Sequence, residues 1–202
     1  MIPIVIQAVP ARAAMVEYLL HHLPDAIVVW DQAERPNVWR TWREALCATE
    51  GAAHVHLEDD VTLTRDFAEK VREVTHDGGL PYPVALWDRH EGWSRPMVGG
   101  DFWAAVGFYL PRGFGPAIAA DVARYPVVRD NYIDHQLGGW LTRRKLGYWL
   151  QRPSLVQHTS IPSTLGYRTE ASGKRSRHRV SPTFVDPELA CHPYPEAVIV
   201  AA

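Results

Sequence analysis

The stretch Ala52-Ala53-His54-Val55-His56-Leu57-Glu58-Asp59-Asp60-Val61 decides how the rest of the chain is read. An apolar run of strand length stops abruptly in three consecutive carboxylates. Adjacent acids repel one another, so three of them at a strand end ask for a counter-charge. Oxygen-rich donor sets suit hard divalent cations such as Mg²⁺ and Mn²⁺, which in turn hold phosphates. In open α/β sheets the ligand crevice lies beyond the carboxyl ends of the strands, and the triplet falls at such an end. By itself the triplet also reads as a solvated acidic turn before a helix starting near Thr64.

The residues before it favour the sheet. Ile2 to Val9 is an apolar run, and Val16, Leu19, Leu20 and Leu23 then recur at helical spacing. Ala26 to Trp30 is a second strand pattern ending at Asp31, and Trp39, Trp42 and Leu46 share one face of a second helix. Three strands joined by two helical crossovers predict a parallel, Rossmann-like sheet. No glycine-rich fingerprint follows the first strand, which disfavours a dinucleotide fold.

The residues after it extend the pattern. Thr64 is the expected cap of a helix with Phe67, Val71 and Val74 on its buried face. Pro83 to Trp87 reads as a short strand, Asp88 to Gly100 as a polar loop, and Phe102 to Leu110 as a strand with small residues at its centre. Small residues there allow a ligand or another backbone to approach closely. Asn131 to Lys145 is a helix pattern with Asn131 as its expected cap and Asp134 in its first turn. Short strands are expected over 147–150 and 154–156. The rest is rich in Pro, Ser and Arg.

Composition sets limits. The chain has 202 residues, a formal charge of −2 and an apolar fraction of 47%, which fits a globular domain and neither a disordered nor a polycationic one. No run of about 18 apolar residues occurs, so no membrane span is expected. Neither a basic leader nor a cleavage site opens the chain, so the cytoplasm is the expected location. Cys47 and Cys191 have no metal-type spacing. One domain over 1–202 is expected: a nucleotide-binding half (1–62), an acceptor and catalytic half (80–160) and an irregular basic tail (161–202).

The run "LEDDV" after a strand–helix–strand–helix–strand opening, followed by "NYIDHQLGGWL" and "PSLVQH" in that order, resembles the GT-A glycosyltransferases. The resemblance covers roughly residues 2–165. Glu58 stands where that family usually has its first Asp. The resemblance implies an α/β, Rossmann-like GT-A (nucleotide-diphospho-sugar transferase) three-layer fold with a mixed, mostly parallel central sheet. It further implies a Mn²⁺ or Mg²⁺ ion and a nucleotide-sugar donor, UDP being the commonest nucleotide. Compact transferases of this kind are found in bacterial glycan clusters and in phages that glycosylate hydroxylated DNA bases. A phage-encoded chain would work in the host cytoplasm. The acceptor, glycan or DNA, stays open.

On that resemblance Asp60 and His158 bind the metal, and Glu58 and Asp59 assist toward the nucleotide. Asp134 is the general base of an inverting transfer, with Asp101 as its rival. Pro10, Arg12, Asp31, Asn37 and Arg43 are placed around the nucleotide, each equally readable as surface. Trp93, in a charged loop, is the aromatic expected at the acceptor, with Trp87 and Trp103 near it. Arg168 and Lys174, with Arg175, Arg177 and Arg179, form a basic segment suited to a diphosphate, a phosphodiester backbone or solvent.

Two other classes compete. "HVHLEDD" superficially resembles the metallo-β-lactamase-like hydrolases, but the histidine after the acid is missing and Glu58 occupies the Asp position. His54 and His56 also lie within the apolar run and are expected to be hydrogen-bonded in the core. A nonenzymatic nucleotide- or nucleic-acid-binding module is the other class. Oligomeric state is not legible.

Overall fold

The computed structural model describes residues 2–33, 37–88, 95–98, 102, 105–124, 133–159 and 181–193. The chain is an α/β protein built on a mixed, mostly parallel seven-stranded sheet in the order β2-β1-β3-β7-β5-β8-β6. The strands are β1 (Ile4–Ala8), β2 (Ile27–Trp30), β3 (His54–Glu58), β5 (Val84–Ala85), β6 (Arg95–Val98), β7 (Gly107–Leu110) and β8 (Gly147–Leu150). β7 and β6 run against the other five. A second, two-stranded sheet pairs β4 (Val61–Leu63) with β9 (Val156–His158), antiparallel.

The opening supersecondary unit is the expected one. β1 pairs in parallel with β2 on one side and β3 on the other. The chain therefore moves outward from β1 to β2 and then crosses back to β3. Because such crossovers are right-handed, α1 (Ala13–His22) and α2 (Val38–Cys47) fall on opposite faces of the sheet. Between β1 and β3 the strand order reverses, which is where open α/β sheets form their ligand crevice. The buried strand residues Val5, Ile6, Val55, Leu57, Phe108 and Leu110 are fully withdrawn from solvent and anchor the sheet in its core.

Several expectations change. Thr64 caps no helix: its hydroxyl donates to the Val185 carbonyl, and Asp66, in a left-handed conformation, precedes α3 (Phe67–Val74). The residues after Asp60 form β4, because β9 is available to pair with them. β6 lies inside what reads as a polar loop; its partner β8 is about 50 positions away and invisible to local pattern. β7 starts at Gly107, and a Cβ there would come within 2.9 Å of Val156 Cγ2 and 3.3 Å of Leu57 Cδ2. The small residue thus lets the second sheet press onto the first, a packing role. α4 (Phe114–Arg124) and α5 (Ile133–Arg143) follow; Asn131, the expected cap of α5, lies outside the described residues.

Residues 181–193 are irregular, as expected, but tied in. Tyr18 Oη donates to the Glu188 carbonyl (2.6 Å) and accepts from the Leu63 N–H (3.0 Å), and Ser181 is buried. No helix among the described residues is long and apolar enough to cross a membrane. Cys47 and Cys191 are exposed free thiols.

Candidate metal centre

The acidic triplet sits at the reversal between β1 and β3. β1 and β3 are in register with Gln7 opposite Glu58, so their next residues emerge side by side. The Val9 N–H donates to Asp59 Oδ2 (2.8 Å), and Arg12 Nη1 lies 2.7 Å from both Asp59 Oδ1 and Asp60 Oδ2. Asp59 and Asp60 are 3% and 2% exposed, so these contacts are made in a low-dielectric setting where they count.

His158 arrives from 98 residues away through the second sheet. β4 begins immediately after the triplet, and its pairing puts Val61 opposite His158. The Thr159 N–H and Oγ1–H both donate to the Asp60 carbonyl, at 2.8 and 2.9 Å, and lock the two segments together. His158 Nε2 then faces Asp60 Oδ2 at 3.6 Å.

The chemistry of that ring is set by its other nitrogen. His158 Nδ1 is 2.7 Å from the Thr159 carbonyl, which can accept but not donate, so Nδ1 carries a proton. In the neutral ring Nε2 therefore presents a lone pair toward a carboxylate. This is the tautomer a metal-binding imidazole uses when its second nitrogen donates to a backbone carbonyl. One donor atom each from Glu58, Asp60 and His158 lie within 4.8 Å of one another. Asp60 Oδ1 is buried with no hydrogen-bond partner among the described residues. Two carboxylates and one imidazole, with one carboxylate oxygen still unpartnered, fit a hard divalent ion such as Mn²⁺ or Mg²⁺. The donor set fits the ion that the sequence implied.

The carboxylates are strained electrostatically. Burial first, then the charges of Asp60 and Asp134, push Glu58 well above the ordinary range, with Arg12 opposing. Asp59 is pushed up to about 6 by burial and by Asp60, against the pull of Arg12 and the Val9 N–H. Burial works against the charge on Arg12, but Asp60 and Asp59 outweigh it and hold the guanidinium protonated.

Asp134 stands in the first turn of α5, where a carboxylate complements the helix dipole. Its Oδ1 accepts from the Ala105 N–H at 2.6 Å. The next residue, Val106, accepts from the Glu58 N–H (3.0 Å), so one short segment ties the α5 start to the acidic cluster. The structure thus brings Asp134 beside Glu58, near enough to raise its pKa.

The residues expected around the nucleotide separate into groups. Pro10 is exposed at the turn Pro10–Arg12 that follows β1. Asp31 is closed on its own loop: Oδ2 accepts from the Asn37 N–H at 2.5 Å, and Oδ1 from Arg40 Nη2 at 2.7 Å and the Ala33 N–H at 3.3 Å. Asn37 caps α2 through the Arg40 N–H, and Arg43 is exposed on that helix. Arg12, expected at a diphosphate, is engaged by the acids instead. Parallel neighbours bring their carboxyl-end loops together, which is the signal in the sequence that could have joined Arg12 to Asp59.

Trp87 is in the core. Trp93, Asp101, Trp103, Arg168, Lys174, Arg175, Arg177 and Arg179 lie outside the described residues. His54 and His56 do not join the cluster. His54 meets Thr49 Oγ1 at 3.2 Å, as a hydrogen-bonded core residue should. His56 departs from expectation: it stacks on Phe108 (centroids 4.7 Å apart), and neither ring nitrogen has a hydrogen-bond partner among the described residues. Burial pushes its pKa down to about 3, so it stays neutral. A hydrolase site built on these two histidines has no support from their placement.

No protein-family model matches the chain, and no curated protein matches it significantly. A solved structure described as the crystal structure of A197 from STIV is similar in backbone, with a TM-score of 0.49 and 12% sequence identity over 81% of this chain and 87% of that one.

Proposed function

We propose that this chain is a metal-dependent glycosyltransferase that moves a sugar from a nucleoside-diphosphate sugar to an acceptor hydroxyl with inversion. The observation that carries the reading is the meeting of Glu58, Asp60 and His158 at the β1/β3 reversal, with the His158 tautomer set for a cation. A GT-A arrangement is the finer description we favour. It is supported by the parallel β2-β1-β3 unit, the antiparallel β7 beside it and the small β4·β9 sheet that delivers the histidine.

Glu58, Asp60 and His158 would hold a Mn²⁺ or Mg²⁺ ion. Such an ion supplies positive charge against the oxygens of a departing diphosphate. The protein's own residues do the rest. Asp134, with one oxygen fixed by the Ala105 N–H, takes the proton from the acceptor hydroxyl. The hydroxyl oxygen forms a bond to the anomeric carbon as the bond from that carbon to the diphosphate breaks. One base and one displacement give inversion. A positioned base of this kind contributes about 10²–10⁴-fold. The Val9 N–H keeps Asp59 aimed into the cluster.

The test is donor hydrolysis. The protein is incubated with Mn²⁺ and a panel of UDP- and GDP-sugars, and release of the nucleoside diphosphate is measured. Metal-dependent release from at least one donor is expected. No release from any donor, together with no metal-dependent nucleotide binding, overturns the proposal.

A further inference from the structure

Arg12 lies inside the acidic cluster, at a position where two cations would compete. A single nitrogen, Nη1, is 2.7 Å from Asp59 Oδ1 and 2.7 Å from Asp60 Oδ2. Asp60 Oδ2 is also the oxygen 3.6 Å from His158 Nε2. An ion held by Asp60 and His158 would have to share that oxygen with the guanidinium. A divalent ion there would also repel the guanidinium across a few ångströms of low-dielectric interior.

The two carboxylates differ in how firmly they are held. Asp59 Oδ2 is fixed by the Val9 N–H, which belongs to the same β1 loop as Arg12. Asp59 and Arg12 therefore move as one piece with the β1 end. Asp60 keeps one oxygen, Oδ1, buried and unpartnered. The Arg12–Asp59 contact is the anchor, and the Arg12–Asp60 contact is the one that can be exchanged.

We propose that Arg12 is a resident counter-cation: it neutralises the site while no metal is bound and yields Asp60 to an incoming divalent ion, keeping its hold on Asp59. The inference rests on the metal-binding reading above and adds an exchange step to it. Without a cation, the buried pair Asp59 and Asp60 would be left uncompensated, which is strongly destabilising. With Arg12 in place the metal-free chain folds, and the metal must displace a bond before it binds. Metal affinity is thereby set below what the bare carboxylates would give.

The experiment measures Mn²⁺ binding to the full chain by the electron paramagnetic resonance of unbound Mn²⁺, alongside thermal melts with and without the ion. Wild type, Arg12→Gln and Arg12→Lys are compared. Arg12→Gln is expected to bind Mn²⁺ about tenfold or more tightly than wild type. It should melt lower without metal and gain more from Mn²⁺ at a fixed concentration well above Kd, since the stabilisation grows with the logarithm of the ratio of ion concentration to Kd. Arg12→Lys keeps the charge on a shorter arm with a looser hold, and a gain of about threefold is expected. If Arg12→Gln does not fold, the lysine variant decides. Wild-type binding that is unchanged or weakened in the variants overturns the exchange and makes Arg12 a support for the ligands, leaving the metal centre intact. No Mn²⁺ binding by any of the proteins overturns the metal centre and the exchange with it.

Discussion

Two strands that flank β1 in the sheet end in buried acids and resolve them in opposite ways. Asp31, after β2, is closed by its own loop: two backbone N–H groups and Arg40 saturate it. Burial pushes its pKa up, but those donors, led by the Asn37 N–H, outweigh it and leave the net value below the ordinary one. The Glu58-Asp59-Asp60 triplet, after β3, has three charges and too few donors. Glu58 and Asp59 are pushed up, and one buried oxygen of Asp60 has no partner among the described residues. A strand-end carboxylate is structural when nearby N–H groups satisfy it. It becomes a candidate ligand site when the fold brings more acids than donors to one place.

The strongest way to break that comparison is at Asp134 and Asp60. Asp134→Asn is expected to keep donor binding and lower transfer by about 10²–10⁴-fold, measured as turnover against donor affinity. Normal turnover would move the base elsewhere, with Asp101 to be tried next. Asp60→Ala should weaken metal binding by about 100-fold or more, read by calorimetry with Mn²⁺. The matching substitution on the other strand, Asp31→Ala, should leave metal affinity unchanged. It should instead cost about 1–3 kcal/mol in urea unfolding, because buried donors lose their acceptor. Equal effects on metal binding from both strands would erase the distinction. His158→Ala should weaken metal binding by about 10–100-fold, read by the same calorimetry.

The smallest and sharpest test is pH. Asp31 has a lowered pKa, so its contribution is fully present above the unfolded value of 3.8 and is lost as acidification continues through its folded value. Asp59 has the reverse sign. Its folded value of about 6 lies above the unfolded 3.8, so the native state binds the extra proton between them. In metal-free buffer its contribution therefore improves as pH falls from about 6 toward 3.8. Saturating Mg²⁺ should reverse that slope, since the ion needs the deprotonated acids. Urea melts of wild type and Asp59→Asn across pH 4 to 7, with and without Mg²⁺, check it; an identical slope in both proteins would remove Asp59 as the source.

Much of the frame is legible in the sequence. Apolar runs of strand length and helical spacings of Val16, Leu19 and Leu23 place β1, α1 and β3, and the triplet's position at a strand end follows from them. Asp134 at a helix start is likewise local information. β4, β9 and β6 were harder, because a three- or four-residue strand exists only by virtue of its partner. Thr64 looks like a cap by composition, yet the Val185 carbonyl claims its hydroxyl across 121 positions of sequence. Asp31 and Arg12 looked alike, as polar residues at strand ends, and only their partners separate them.

The sequence by itself determined a parallel α/β opening with an excess of carboxylate charge at one strand end, since periodicity and charge are properties of neighbours along the chain. The tertiary structure decided what that charge meets. The register of β1 with β3 delivers Arg12 and the Val9 N–H, and the pairing of β4 with β9 delivers His158 with its Nδ1 proton committed to a carbonyl. Those contacts span 47 to 98 positions. Hydrogen-bond saturation depends on which donors arrive from such distances, and no local pattern encodes it.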